Sequence, residues 1–162
     1  MKAVYSATYE ADCNFGEWGS GTQYTQDTHG KKYVTTNLGY FGLFEFALNC
    51  SNLEALHLDV WIADDMTFRV VPIHGAAEVG VTVSLKGQQW NSVEIPLSDY
   101  VGVPDWTNVY QIKIDNASNR TFWLNNIYFY TTQAPAGDEE APTAVTATAT
   151  ASLLSVTIHA QA

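Results

Sequence analysis

The stretch Ala55–Ile62 alternates strictly between aliphatic side chains and polar or aromatic ones. In an extended strand, successive side chains point to opposite faces of the sheet, so each set occupies one face. The aliphatic set consists of Leu56, Leu58, Val60 and Ile62. The opposite face carries an imidazole, a carboxylate and an indole, from His57, Asp59 and Trp61. An ordinary solvated strand carries Thr, Ser or Lys on its outer face. This second face is therefore predicted to have a role beyond contact with solvent.

Short segments of the same strand-like composition recur along the chain between turns rich in Gly, Asn or Asp, and helical periodicity is nearly absent. We predict strands near Ala3–Tyr9, Thr22–Gln26, Tyr33–Thr36, Tyr40–Phe46, Ala55–Ile62, Thr67–Pro72, Glu78–Leu85, Ser92–Pro96, Val109–Ile114 and Thr121–Tyr130. Ten short strands without helices between them have to pair antiparallel, because parallel pairs need long crossovers. The pattern therefore predicts an all-β chain whose two antiparallel sheets pack as a jelly-roll β-sandwich. One helical turn is expected at Ser98–Gly102, capped by Ser98.

One face of each sheet is predicted to supply the hydrophobic core. The expected core residues are Leu56, Leu58, Val60, Ile62, Phe68, Val70, Val81, Val83, Val93, Ile95, Tyr110, Ile112, Ile114, Phe122, Leu124, Ile127 and Phe129. Thr67, Val71 and Asn125 are expected to point outward, together with the candidate site residues given below.

The composition changes abruptly after Tyr130, which predicts a domain boundary. Residues 1–132 are expected to form the sandwich. Residues 133–142 are charged and interrupted by prolines, and they lack the large apolar side chains that form a core. They are therefore predicted to be a linker. Residues 143–162 alternate Thr and Ala with aliphatic residues, as a strand pair does, and we expect them to be the truncated first strands of a second β-domain.

The charge and the composition narrow the range of partners. The net charge is −10 with only seven Lys and Arg residues, which argues against nucleic acid and anionic membranes because both would be repelled. Charged residues make up 15% of the chain, where about 25% is usual, while aromatic residues make up 13%. No segment is long and apolar enough to span a bilayer. We expect a monomer, and a signal peptide is not present in this chain.

The outward residues of several strands are predicted to form one concave face, because jelly-roll neighbours are often distant in sequence. The members of this predicted face are His57, Asp59, Trp61, Arg69, Gln111, Lys113 and Trp123. Planar aromatics beside amide, guanidinium and carboxylate groups suit a sugar, whose C–H faces stack on indole while its hydroxyls take hydrogen bonds. Trp18, between glycines in a predicted turn, is a second type of stacking residue within reach of a ligand.

Structural interpretations of the same residues stay open. A loop can cover the outward Trp and His side chains, and Arg69 or Lys113 can pair with Asp59 as a surface salt bridge worth about 1 kcal/mol or less. Trp90 is expected to pack at the end of the core. On this interpretation the chain is a spacer or interaction domain whose aromatic face docks on a neighbouring domain, and that face is a continuous apolar patch.

Signatures of catalysis and of cofactors are missing. A glycosidase needs two carboxylates flanking its substrate, and Asp59 is the only acidic residue expected on the predicted face. No GxSxG, HExxH, P-loop or GxGxxG motif occurs, and no cofactor is required. Glu10, Asp12 and Asn125 offer hard oxygen ligands for a structural calcium ion. Cys13 and Cys50 are too far apart for a CxxC motif and fit either one disulfide or two free thiols.

Five segments together resemble carbohydrate-binding modules of the β-sandwich, jelly-roll type, which are galactose-binding-like in fold. The segments are Leu56–Trp61, Thr67–Val70, Trp90–Tyr100, Val109–Ile114 and Phe122–Phe129, and the resemblance extends from about Ala3 to Tyr130. The tail from Asp138 is similar to the start of immunoglobulin-like or fibronectin-like spacer domains.

The resemblance implies a noncatalytic module of a larger enzyme. Such modules are appended to secreted bacterial enzymes that degrade polysaccharides, notably β-glucanases. The implied role is to bind a plant or microbial glycan, such as a β-glucan, and to hold an attached glycoside hydrolase near it. Related jelly rolls often carry Leu-Asp-Asn-Ile in the final strand, where an aspartate contacts calcium, whereas this chain has Leu124-Asn-Asn-Ile127. This departure weakens the expectation of a metal.

Overall fold

A computed structural model of the 162-residue chain describes residues 1–8, 10–13, 16–18, 23–27, 30–34, 40–74, 78–102, 105–115 and 119–132. The chain divides into two units, Met1–Thr132 and Gln133–Ala162. The predicted linker and second domain fall in the second unit, outside the described residues, and stay predictions.

The first unit consists almost entirely of β-strands, as the sequence pattern predicts. The strands are β1 (Lys2–Tyr5), β2 (Gly16–Trp18), β3 (Gln23–Asp27), β4 (Gly30–Val34), β5 (Tyr40–Leu48), β6 (Ala55–Ile62), β7 (Met66–Ile73), β8 (Val81–Leu85), β9 (Gln89–Pro96), β10 (Val109–Asp115) and β11 (Thr121–Tyr130). A single 3₁₀ turn spans Leu97–Asp99. In the described residues, no helix is both long and apolar enough to cross a membrane.

The strands form two antiparallel sheets, which confirms the predicted β-sandwich. The first sheet has the order β3-β4-β11-β6-β9, with β1 also paired to β11. The second sheet has the order β2-β5-β10-β7-β8. Strands distant in sequence become neighbours, since β6 lies between β9 and β11.

The core lies between the sheets and is built from the aliphatic faces that the alternation predicts. Leu56, Leu58, Val60 and Ile62 are all buried, as are Phe122, Leu124, Ile127 and Phe129 of the last strand. From the second sheet, Phe68, Val70, Ile112 and Ile114 complete the same cluster. Cys13 and Cys50 pack with this cluster as free thiols, and burial raises the pKa of Cys13 to about 11 and that of Cys50 to about 12.

Several local predictions are wrong. Tyr110 is predicted in the core but is only half-buried, whereas Val71, predicted outside, is 1% exposed. Val81 and Val83 are half-buried and pack against the core cluster, as predicted. The helical turn begins at Leu97, directly after Pro96, and no side chain caps it, so Ser98 is not its cap. The segment Gly16–Trp18 is a short strand paired to β5 rather than part of a turn.

Candidate functional site

Three tryptophans lie in one line across the outer face of the first sheet. Trp61 of β6 pairs directly with Trp123 of β11 on one side and with Trp90 of β9 on the other. We call these three residues the Trp row. The rings of Trp61 and Trp123 meet edge to face, with centroids 5.0 Å apart and planes at 87°. Trp90, on the edge strand, is 41% exposed, and the other two indoles are half-buried.

Two further rows cross the same strands parallel to the Trp row. The polar row consists of Asn125, Asp59 and Ser92, and the histidine row consists of Tyr128, His57 and Glu94. Side chains two residues apart on one strand are separated by about 7 Å. The outer face of the first sheet therefore carries three parallel rows: the aromatic Trp row, the hydrogen-bonding polar row and the histidine row, which is part aromatic and part ionic.

A β-bulge in β11 makes this arrangement possible. Between Asn125 and Tyr128 the strand holds one residue more than β6 holds between Asp59 and His57. Asn126 sits at the bulge with a φ of 48°, a conformation that asparagine adopts more readily than most residues. The extra residue reverses the alternation, so Ile127 is buried in the core and Tyr128 faces outward beside His57.

His57 links the polar row and the histidine row. Its Nδ1 lies 2.5 Å from Oε1 of Glu94, and its Nε2 lies 3.2 Å from Oδ1 of Asp59. The ring stacks on Tyr128 with centroids 4.5 Å apart and planes at 14°, and His57 is only 6% exposed.

The remaining oxygens of the two carboxylates also have partners. The Nδ2 atom of Asn126 donates to Oδ2 of Asp59 at 2.7 Å, and the hydroxyl of Tyr130 donates to Oε2 of Glu94 at 2.6 Å. The hydrogen bond to Glu94 raises the pKa of Tyr130 to about 12. Burial, with the nearby charges of Glu94 and Asp59, also raises the pKa of Tyr128.

The outer face of the second sheet carries different chemistry. Arg69 Nη1 lies 3.3 Å from Oδ2 of Asp115, and Lys113 Nζ lies 3.8 Å from the same oxygen. Lys113 also donates to Glu78, and only 16% of its side chain is exposed. Strand register puts Lys113 opposite Val71. Ionic groups that are paired with each other thus lie beside the buried Val71.

The predicted single face is wrong, because its members lie on different sheets. His57, Asp59, Trp61 and Trp123 belong to the first sheet, whereas Arg69, Gln111 and Lys113 belong to the second. For the same reason neither Arg69 nor Lys113 pairs with Asp59. The role of each residue in ligand binding stays a prediction, now divided between two faces.

Five residues of the first-sheet face are not among the site residues that the sequence predicts. They are Trp90, Ser92, Glu94, Tyr128 and Tyr130. Trp90 was assigned to the end of the core, yet it starts a segment that alternates outward Trp90, Ser92 and Glu94 with buried Val93 and Ile95. That alternation was a usable signal. Glu94 is moreover a second carboxylate on this face, where only Asp59 was expected.

The other predicted residues are placed as follows. Trp18 ends β2 in register with Gly42, but its side chain lies outside the described part of the structure. Among the calcium candidates, Asp12 accepts the backbone N–H of Ala3 at 2.6 Å and Asn125 accepts that of Ala7 at 2.9 Å. Glu10 is exposed. In the described ranges, no group of three or more His, Cys, Asp or Glu side chains is arranged to hold a metal ion. Calcium binding stays untested.

Comparison with known proteins identifies one family. Carbohydrate binding domain 30 matches residues 18–131. The family 30 carbohydrate-binding module of a cellulosomal cellulase from Clostridium thermocellum aligns at 13% identity with a TM-score of 0.62, covering 82% of this chain and 98% of that one. A family 11 module from the same organism, solved in complex with a β-1,3-1,4-mixed-linked tetrasaccharide, aligns at 19% identity with a TM-score of 0.53, covering 80% and 95%. No curated protein matches.

Proposed function

This chain belongs to the carbohydrate binding domain 30 family, and on that premise we propose that it binds a β-glucan and holds an attached glycoside hydrolase on that polysaccharide. The proposal covers three points beyond carbohydrate binding itself: the identity of the glycan, the absence of catalysis, and the attachment to an enzyme. The same role implies that the protein is secreted or displayed at a bacterial surface, because the polysaccharides that it would bind lie outside the cell.

The Trp row is the observation that carries the proposal. Neighbouring strands lie about 4.8 Å apart, so the three tryptophans span about 10 Å across the sheet. Sugar rings stack their C–H faces on indole, and a linear glycan laid along the row passes all three indoles. Because the planes of Trp61 and Trp123 are at 87°, it stacks on the face of one of these two rings and contacts the edge of the other. The row reaches the edge strand at Trp90, which leaves that end open for a chain longer than the row.

Hydrogen-bonding groups flank the row where the hydroxyls of a stacked sugar need them. Asp59 and Ser92 lie about 7 Å along their strands from Trp61 and Trp90, respectively. The side chain of Asp59 is 24% exposed, and carboxylate oxygens accept more than one hydrogen bond each. This combination of stacking and hydrogen bonding is typical of carbohydrate recognition.

Two arguments support a neutral β-glucan. The net charge of −10 and the carboxylates of Asp59 and Glu94 disfavour acidic glycans such as pectins. The family 11 module of similar fold was solved with a β-1,3-1,4-linked tetrasaccharide.

Docking on a neighbouring protein domain is less well supported. A docking surface is expected to be one continuous apolar patch. Here Asp59, Ser92 and Asn125 form a polar strip directly beside the tryptophans.

Isothermal titration of residues 1–132 with soluble polysaccharides tests the proposal. We expect binding to mixed-linkage β-glucan with a Kd between about micromolar and millimolar, weaker binding to xylan and mannan, and none to pectin. The same solutions are assayed for newly formed reducing ends, and none are expected. Release of sugar would refute the noncatalytic role, and an absence of binding to every glycan would refute the proposal.

A further inference from the structure

We propose that Asn126 is a positioning residue for glycan binding: its side-chain amide holds the Asp59 carboxylate in the orientation that binds sugar, and the N-terminal segment around Ser6 holds that amide. The inference rests on the proposed function of the first-sheet face. It assigns a role to a residue that lies beside the proposed ligand contacts rather than among them.

The side-chain amide of Asn126 has one hydrogen-bond partner at each end. Its Nδ2 donates to Oδ2 of Asp59 at 2.7 Å, and its Oδ1 accepts from the hydroxyl of Ser6 at 2.8 Å. An ionised carboxylate only accepts hydrogen bonds, so the NH2 group has to face Asp59 and the amide oxygen has to face Ser6. The two partners together therefore fix the orientation of the amide.

The bulge in β11 brings Asn126 to this place. Asn126 and Ile127 lie where β6 has only Leu58 opposite them. Ile127 enters the core, while the amide of Asn126 reaches Asp59 on the neighbouring strand. The φ of 48° at Asn126 lies in the left-handed region. The extra residue of the bulge thus supplies the amide that meets the carboxylate.

The N-terminal segment contacts the bulge at a second point. The backbone N–H of Ala7 donates to Oδ1 of Asn125 at 2.9 Å, and the backbone N–H of Asn126 donates to the same oxygen at 2.9 Å. The Ser6 hydroxyl also accepts the backbone N–H of Thr8 at 3.0 Å. Ser6 is half-buried, whereas Ala7 and Thr8 are exposed. A segment that is distant in sequence therefore stabilises the position of Asn126.

A carboxylate that is held in place is a better partner for sugar hydroxyls than one that rotates freely. Asp59 lies two residues along β6 from Trp61, and 24% of its side chain is exposed. With Oδ2 bonded to Asn126, the carboxylate keeps lone pairs for a ligand and loses little conformational freedom when the ligand binds. Without the amide, the carboxylate can rotate, and binding then has to restrict that rotation.

The test is a double-mutant cycle on the full chain, measured by isothermal titration with mixed-linkage β-glucan. It uses wild type, Asn126→Gly, Asp59→Ala and the double variant. Glycine accepts the positive φ at position 126, so Asn126→Gly removes the amide without straining the backbone. We expect this variant to lose about fivefold in affinity, the size of one hydrogen bond. In the Asp59→Ala background, the same substitution is expected to change the affinity by less than about twofold, because the amide then has no carboxylate to hold.

Ser6→Ala tests the same link without a change in the bulge. The amide keeps its bond to Asp59 but loses its second partner, so we expect a loss of about twofold, and no loss in the Asp59→Ala background.

The matched control is Asn119→Gly, which makes the same substitution at a similar φ of 54° in an exposed turn. Its affinity is expected to match wild type. Thermal unfolding of both glycine variants shows whether each one folds and what the loss of an asparagine at a positive φ does to stability.

Unchanged affinity in a folded Asn126→Gly variant, or equal losses in the wild-type and Asp59→Ala backgrounds, would overturn the inference while leaving glycan binding intact. An equal loss in Asn119→Gly would overturn it as well. Should Asn126→Gly not fold, the cycle is measured with Ser6→Ala in its place. Absence of binding by wild type to every glycan would instead defeat the proposed function.

Discussion

The two outer faces of this sandwich arise from the same β alternation but differ in what they leave available. On the second sheet, Arg69, Lys113, Asp115 and Glu78 form ion pairs with each other beside the buried Val71. On the first sheet, the Trp row keeps accessible surface, and Trp90 is 41% exposed. These four charged groups of the second sheet are neutralised by each other. The indole rings and the partly exposed carboxylates of the first sheet keep accessible surface that a ligand can contact.

Among the substitutions that test which face binds the glycan, replacing Trp61 is expected to lower the affinity most. Trp61→Ala removes the central ring of the Trp row, and a central aromatic anchor contributes about 2 kcal/mol, or about 30-fold in Kd. Trp61→Phe keeps a stacking ring and is expected to retain part of the affinity. Isothermal titration with β-glucan measures both variants.

The matched control lies on the other face. Gln111→Ala removes a half-buried polar side chain from the second sheet and is expected to leave the Kd unchanged. If Gln111→Ala abolishes binding and Trp61→Ala does not, the second sheet is the binding face.

Replacing Trp90 tests whether the glycan extends along the first-sheet face, because the loss of affinity should depend on the length of the ligand. Trp90→Ala trims the exposed end of the row, and we expect a loss of about tenfold for long oligosaccharides, since an exposed ring contributes less than a central one. Short oligosaccharides that cover only Trp61 and Trp123 should bind the variant as they bind wild type. Equal losses for short and long ligands would contradict a glycan laid across the strands. Titration with oligosaccharides of increasing length gives the answer.

Lys113 tests whether the second face is purely structural. Lys113→Ala leaves Glu78 and Asp115 without their shared cation, and the free energy of unfolding is expected to fall by about 1 kcal/mol in urea denaturation. Glycan affinity should not change. An affinity loss with unchanged stability would move the binding site to this face.

Much of the first-sheet face could be predicted from the sequence, because the residues of β6 that share this face are close neighbours in the chain. The alternation of His57, Asp59 and Trp61 with aliphatic residues fixes which side chains share a face once the segment is a strand. The core residues of β6 follow from the same rule, and their burial confirms it.

The division of the predicted site between two sheets could not be read from sequence. It depends on which strands pair, and β6 finds its neighbours more than 20 residues away, in β9 and β11. Alternation gives Arg69 and Trp61 the same outward direction but not the same sheet. A strict two-residue period also does not predict the bulge at Asn126, which places Tyr128 beside His57. Ile127 and Phe129 are assigned to the core correctly, but nothing in the sequence pairs Tyr128 with His57.

The smallest expected effect concerns Tyr130, at the far end of the first-sheet face. Its hydroxyl donates to Glu94, and the pKa of Tyr130 is raised to about 12. A raised tyrosine pKa means that the neutral form is favoured on folding, so this stabilisation is full below about pH 10, the ordinary value, and disappears as the pH rises through about 12. Tyr130→Phe should therefore be less stable than wild type by under about 1 kcal/mol at pH 8, because the pair is largely exposed to solvent. The difference between the two proteins in urea denaturation should shrink between pH 10 and 12. A difference that stays constant over this range would contradict a stabilisation that comes from the bond to Glu94.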